Sequence, residues 1–294
     1  MSNLKDIRTR IASVKSTKQI TSAMKMVSAA KLKKAQDSVI NLRPYAHKLN
    51  EILSSITKSV NLGEENIYSR PGFPDKILIV VISSNKGLCG AFNANVIKET
   101  IQLIDKNYYG ENAEGNVDLL TIGKNASEYF PKKGYKVIGS DNDLLDQLSF
   151  EKATPLIEKI IESFINKDYD RVMLVYNRFK NAAVQIITSD QFLPLEIDYE
   201  EEGDMHINYD FIFEPSKEYI VKNLIPKSLK LNFYEALLES LAAEHGARMT
   251  AMHKATDNAT ALIKELQLNY NKARQAAITN EILEIVGGAE ALNK

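Results

Sequence analysis

The sequence predicts an α/β fold with long helices. The N- and C-terminal helices form an antiparallel two-helix coiled coil, and a central Rossmann-like α/β domain lies between them in the chain. Three observations predict this. The first 43 residues contain neither glycine nor proline. Lys227 to Val286 contains no proline and one glycine, Gly246. Glycine and proline interrupt regular structure most strongly, so their absence predicts a long helix at each end. Between the ends, short apolar runs alternate with helical patterns, as in a mostly parallel sheet with right-handed crossovers. The expected segments are an N-terminal coiled-coil helix over 1–62, the α/β domain over 75–196, and a C-terminal coiled-coil helix over 215–290.

The first helix carries an apolar seam at alternating spacings of three and four. Its residues are Leu4, Ile7, Ile11 and Val14, then Leu32, Ala35, Val39, Leu42, Ala46, Leu49, Leu53 and Ile56. That spacing turns one stripe of a helix toward a partner helix. Between the two runs the seam positions are Lys18, Thr21, Lys25 and Ser28, all polar, and the apolar residues move to Ile20, Ala23, Met24 and Val27. Two readings stay open at this point. Either the register shifts locally, as a stutter does, or the stretch presents its methionines outward to a second partner, a use that suits their flexibility. Pro44 falls where the seam continues in phase, so a bend near Leu42–Pro44 is expected rather than a stop. Gly63 and the cluster from Arg70 to Pro74 end the segment.

The middle begins with Lys76–Ser83, a continuous apolar run of the buried-strand type. Asn85–Gly90 reads as a turn and Asn93–Lys106 as a helix. Val117–Ile122 is a second strand, followed by a helix closed by Pro131. Tyr135–Ile138 is a third short strand and Pro155–Asn166 a helix. Arg171–Phe179 and Ala182–Ile187 read as a strand pair joined through Lys180 and Asn181. The acidic run Tyr199–Asp204 is expected to be an exposed loop. The last helix is expected to begin after Pro215 and to run on after Pro226. Its stripe includes Phe233, Leu237, Leu241, Met252, Ala255, Ala259, Leu262, Leu266 and Ala273. At 1.5 Å per residue it would be roughly 90 Å long. Its final turns, with Ile278, Ile282, Leu283, Ile285 and Val286, outrun the first helix. A lone apolar helix is marginal in water, so this end is expected to sit in a sleeve supplied by another protein.

Composition narrows the function classes. The 294 residues carry a formal net charge of −1 that conceals a partition. Residues 1–60 hold 12 Lys/Arg against 3 Asp/Glu, residues 61–226 hold 17 against 27, and residues 227–294 hold 8 against 8. A basic helix beside an acidic middle points to partners. Nucleic acid fits poorly, because Tyr45 is the only aromatic residue in 1–60 and offers no stacking platform. No apolar run approaches the roughly 20 residues that cross a bilayer. The N-terminus shows no secretory or transit pattern. A lone cysteine, Cys89, rules out an intrachain disulfide and argues against a cysteine metal site. The expected compartment is a reducing cytoplasm.

One stretch invites a nucleotide reading. Ser83–Asn93, SSNKGLCGAFN, places a glycine-rich turn between a strand and a helix, where phosphates are often cradled. It satisfies neither the P-loop spacing nor GxGxxG, since only Gly87 and Gly90 are present. The structural reading, a tight strand-to-helix turn, is favoured. No nucleophile or metal constellation accompanies Cys89, so no cofactor is expected. A coiled-coil scaffold without further activity remains the alternative class.

Three stretches resemble a known family. Ile7–Gln36 (IRTRIASVKSTKQITSAMKMVSAAKLKKAQ) is similar to the start of the γ subunit of rotary F-type ATP synthases, and Ala247–Leu292 is similar to its end. The SSNKGLCGAFN turn also matches, so the resemblance spans essentially the whole chain. It implies a non-catalytic central shaft that turns inside a ring of α and β subunits. The α/β domain would form a foot on the membrane c-ring beside the ε subunit, at the cytoplasmic face of a bacterial inner membrane. The resemblance also implies contact residues. Met24 lies in the AMxMV segment that faces the β levers, and Lys31, Lys33 and Lys34 follow it. Arg248, in the ARM segment, and Gln275, in the RQA segment, match positions that hydrogen-bond to catalytic-subunit loops. Thr279 and Glu281 lie in the ITxEI segment implicated in coupling. The chain departs at Lys25, where some relatives carry a carboxylate. It also lacks the paired cysteines of chloroplast relatives, so thiol control is not expected.

Overall fold

The computed structural model describes residues 4–59, 68, 74–195, 214 and 217–292. The elements in chain order are helix α1 (Leu4–Ser59), strand β1 (Ile77–Ile82), helix α2 (Phe92–Asn107), a short helix α3 (Tyr109–Ala113), β2 (Val117–Ile122), α4 (Lys124–Tyr129), β3 (Val137–Asp141), α5 (Phe150–Ile165), β4 (Arg171–Phe179), β5 (Gln185–Leu193) and α6 (Lys217–Leu292). Both prolines inside the long helices are accommodated: α1 runs through Pro44 and α6 through Pro226. The expected acidic loop Tyr199–Asp204, and Gly63 with Arg70–Phe73, lie outside the described residues.

The five strands form one sheet in the order β3-β2-β1-β4-β5. The first four are parallel, and β5 pairs antiparallel with β4 along eight residue pairs from Val172↔Leu193 to Phe179↔Gln185. Successive side chains of a strand point to opposite faces, and β1 is buried on both. Ile77, Ile79 and Val81 pack against Val96, Leu103 and Ile104 of α2. Leu78, Val80 and Ile82 belong to the opposite core with Ile157 and Phe164 of α5 and with Leu229, Phe233 and Leu237 of α6. The sheet is therefore sandwiched between helices, and each fully buried aliphatic or aromatic side chain contributes about 1.5–3 kcal/mol.

Three element starts within the sheet domain differ from the sequence reading, each for a local reason, and β3 and β5 also run on to Asp141 and Leu193. Helix α5 starts at Phe150 rather than Pro155, because Ser149 caps it and accepts the Lys152 N–H at 3.3 Å. Strand β3 starts at Val137 rather than Tyr135. Gly134 (φ 86°) closes the 3-10 turn Pro131–Lys133, and the Tyr135 N–H is spent on the Phe130 carbonyl at 3.2 Å. The β4–β5 connection is longer than two residues. The Asn181 carboxamide oxygen accepts the Ala183 and Val184 N–H groups at 3.0 and 2.8 Å, and this Asx turn delays β5 to Gln185.

The chain divides into two compact units, Ala30–Ala247 and Met1–Ala29 with Arg248–Lys294. In the second unit α1 and α6 are antiparallel neighbours. Ile7 and Arg10 share a cleft with Leu266 and Ala273, and Thr21 meets Thr256 hydroxyl to hydroxyl at 2.8 Å. The seam does not shift register. Thr21 and Ser28 are buried at their heptad positions, while Ile20, Met26 and Val27 are exposed at 57%, 65% and 58%. Small hydroxyl side chains satisfy their own donors against backbone carbonyls, so they fill a seam position at little cost. The stutter reading therefore fails; of the two methionines in this stretch Met26 faces outward and Met24 is half-buried.

Candidate functional site

In a sheet of this kind ligands bind at the carboxyl ends of the strands, where the strand order reverses. Here that point lies between β1 and β4, because the chain leaves β1 toward β2 and β3 and returns on the other side. The glycine-rich turn after β1 sits at this point. Its polar groups are turned onto one another. The Ser84 N–H donates to Asn93 Oδ1 at 3.0 Å, Asn93 Nδ2 donates to Ser84 Oγ at 2.8 Å, and Asn125 Nδ2 donates to the Ser84 carbonyl at 2.6 Å. Cys89 is buried, packed with Phe92 against Ala243 and Ala247 of α6.

Helix α6 thus fills the crevice. Its one mid-helix glycine, Gly246, faces the β4–β5 connection so closely that a Cβ would stand 3.2 Å from the Phe179 ring and 3.3 Å from Ala182 Cα. The alanine-rich stretch serves this approach as well as helix pairing. At the strand end, Cys89 and Phe92 of the turn pack on Ala243 and Ala247 of α6. Among the described residues no group of three or more His, Cys, Asp or Glu side chains could hold a metal ion. His245 is buried, and the exposed His253 lies 3.3 Å from Asp257.

Beside the crevice a cleft of 460 Å³ opens between β4–β5 and α6, lined by Tyr176, Arg178, Asp190, Glu235 and Glu239. The Tyr176 hydroxyl donates to Asp190 Oδ2 at 3.0 Å. Burial, with the nearby Asp190 charge, raises its pKa above the ordinary tyrosine value. Glu235 also titrates above the usual carboxylate range, first through burial and then through the neighbouring Glu239, against the opposing pull of Arg43 and Arg178. Glu239 is 3% exposed. It accepts from Arg43 Nη2 of α1 at 2.6 Å and from the Phe179 N–H at the end of β4 at 2.8 Å. Sequence reasoning missed this pair. The available signal was a charged residue, Glu239, set between the stripe residues Leu237 and Leu241.

The other candidate surfaces are helix faces. Met24 is half-buried on α1, in the same stretch as the outward Ile20, Met26 and Val27. Lys31, Lys33 and Lys34 are exposed. Arg248 is only 7% exposed, so its own chain covers most of the surface it would offer. Gln275, Thr279 and Glu281 lie in the last turns of α6, where every residue from Arg274 to Ala289 is exposed. Gln275 and Thr279 are one turn apart, and the Thr279 hydroxyl donates to the Gln275 carbonyl at 2.9 Å. In the same turns Ile278, Ile282, Leu283, Ile285 and Val286 are uncovered, from 47% for Ile278 to 68% for Ile285. No helix among the described residues is long and apolar enough to cross a membrane.

A long helix that fills the ligand crevice of its own sheet, and then ends in bare apolar turns, defines a subunit of a larger assembly. The family model described as ATP synthase matches residues 3–292. The chain is 53% identical to the ATP synthase gamma chain of Christiangramia forsetii over the full length of both. Its fold matches a chain in the central stalk and c-ring structure of the Tetrahymena thermophila mitochondrial ATP synthase, with a TM-score of 0.57 and 27% identity, over 80% of this chain and 99% of that one. A chain of the Euglena gracilis mitochondrial ATP synthase shares the fold with a TM-score of 0.67 and 24% identity, over 98% of this chain and 94% of that one. The chain belongs to the ATP synthase gamma chain family.

Proposed function

We propose that the chain is the central rotary shaft of a bacterial F-type ATP synthase. It couples ion-driven rotation of the membrane c-ring to conformational change at the catalytic β subunits, and in reverse drives the ring when ATP is hydrolysed. The observation that carries this reading is the uncovered apolar end of α6. From Arg274 to Ala289 every residue is exposed, with no covering helix among the described residues, and such an end needs a sleeve. A ring of α and β subunits would provide one. Three equal catalytic sites are biased only by contacts that differ from site to site, and a sided helix pair supplies such contacts. Nucleotide chemistry would then reside in the β subunits, and the filled crevice is consistent with a chain that binds no nucleotide itself.

In this reading Met24 and the basic Lys31, Lys33 and Lys34 meet acidic loops of the β subunits, where charge complementarity sets approach and register. Gln275, Thr279 and Glu281 meet the sleeve, and Arg248 makes the smallest contact. The segments 1–62 and 215–290 act as the shaft. The domain 75–196 acts as the foot on the c-ring and the ε subunit, at the cytoplasmic face of the inner membrane. Co-purification through an affinity tag on this chain, with subunits identified by mass, tests the assembly. Recovery of α, β, ε and c subunits is expected. Recovery of the chain alone from membranes, or with unrelated partners, overturns the reading. Calorimetry of the isolated chain with ATP is expected to show no saturable binding.

A further inference from the structure

We infer that Glu239 is a positioning residue, and that with Arg43 and the Phe179 backbone it forms the joint through which the sheet passes torque to both long helices. The inference rests on the rotary reading above. Three features point to it. First, α6 occupies the strand-end crevice, so the sheet holds it as a socket holds a shaft. Gly246 allows the closest approach there, and Glu239 fixes a point almost two turns earlier along the same helix. Second, the Glu239 carboxylate is buried, and its two oxygens divide between two other elements. Oε1 takes the Arg43 guanidinium of α1, and Oε2 takes the N–H of Phe179 in β4. One side chain therefore ties α1, α6 and the sheet in a fixed rotational setting.

Third, the ion pair is lopsided. The Arg43 side chain is half exposed while Glu239 is covered. A surface ion pair contributes little, but a buried carboxylate that loses a partner is left charged in a poor solvent. The cost of breaking the joint is therefore highest on α6, the helix held in the socket. A second covered carboxylate, Asp118 of β2, also divides its oxygens, between Lys136 and the Tyr169 hydroxyl, but neither partner lies on a long helix. Lys230 of α6 pairs with Glu158 of α5, and Lys124 pairs with Glu128 within α4. Neither of these two joins three elements. A joint of this kind matters most under load, when the foot is driven and the shaft resists.

The test uses the assembled enzyme in membrane vesicles, with variants R43Q, E239Q, the double variant and the surface control K124Q. Two quantities are measured: ATP hydrolysis with the gradient collapsed by an uncoupler, and ions moved per ATP as the gradient approaches its limit. The expected result for R43Q and E239Q is hydrolysis near the wild-type rate without load, and about twofold fewer ions per ATP near full load. The double variant should lose no more than the worse single variant, because both remove one shared interaction. R43Q strands the covered carboxylate, whereas E239Q removes that charge and leaves the half-exposed Arg43 to water, so E239Q is the variant least exposed to folding failure. R43K, which keeps the charge, should recover part of the loss. Unchanged ion yield in R43Q with full assembly overturns the joint. So does a parallel loss of both quantities, additive losses in the double variant, or an equal loss in K124Q. Wild-type vesicles that hydrolyse ATP and move no ions would overturn the rotary reading instead, and the two failures are distinct.

Discussion

The sheet region and the last turns of α6 are both rich in isoleucine, leucine and valine, yet they dispose of them in opposite ways. From Ile77 to Ile82 every side chain is buried. From Ile278 to Val286 every apolar side chain is exposed. The difference is one of neighbours. The strand has β2 and β4 beside it and helices on both faces. The end of α6 extends past the start of α1, and nothing among the described residues covers it. Burial in the first region stabilises the fold. In the second, the same residue types store a driving force that is released on association. The stability of the protein and its function are therefore written in the same kind of residue, and separated by position.

That contrast can be broken most sharply at Gly123. Its φ of 99° is a conformation that side chains rarely adopt, and a Cβ there would lie 2.4 Å from the Ser83 carbonyl oxygen. The substitution G123A should destabilise the chain by more than about 3 kcal/mol, since backbone strain alone costs 1–3 and the clash adds to it. Chemical denaturation of the isolated chain reads this, and a loss below about 1 kcal/mol would show that the turn relaxes freely. At the other extreme, I282D with I285D should shift the isolated chain's stability by less than about 0.5 kcal/mol. Association with the catalytic ring should weaken by about a hundredfold or more, because two charges must enter an apolar sleeve. Deleting Thr279–Lys294 is expected to act in the same direction. A deletion that unfolds the sheet would show that this end contributes to the fold.

Smaller effects sharpen the comparison. Met24→Lys places a further positive charge on an already basic helix. It should leave assembly intact while lowering the ions moved per ATP, and unchanged pumping would remove Met24 from the contact surface. Glu235 offers the mildest case. Burial and Glu239 raise its pKa in the folded chain above an unfolded value of about 4.3. A raised carboxylate pKa means the folded state binds the proton more tightly. Its stabilising effect is full below about pH 4.3 and is lost as pH rises through the folded value. E235Q should therefore be slightly more stable than wild type at pH 7, with the difference closing as pH falls toward 4. A difference that grows on acidification would reverse the assignment.

Much of this was legible in the chain. The apolar runs at Ile77, Val117 and Arg171 could only be strands buried on both sides, and the long breaker-free ends could only be helices. The heptad positions were readable even where they hold Thr21 and Ser28, but their meaning was not. Polar residues at seam positions look like a lost register until a partner such as Thr256 is seen opposite. Boundaries set by single side chains were harder still. Ser149 and Asn181 each moved an element by three or more residues through hydrogen bonds that leave no periodic trace. The Arg43–Glu239 pair lay beyond reach for another reason. Its members are far apart in sequence, and only tertiary packing brings a half-exposed arginine onto a covered carboxylate. For the residues expected to make contacts, the structure adds exposure and burial, separating open positions such as Lys33 and Thr279 from the covered Arg248.

The hydroxyl contact between Thr21 and Thr256 has one more consequence. Each threonine keeps a fallback acceptor in its own helix, the Lys18 carbonyl for Thr21 and the Met252 carbonyl for Thr256. The bridge between them can part and re-form without leaving a donor stranded, and it wets far less hydrocarbon than an apolar pair would. A leucine pair at the same level would have to expose oil to separate. The paired helices thus carry, in a polar stretch between two apolar runs of the seam, a rung that can be unfastened cheaply and fastened again.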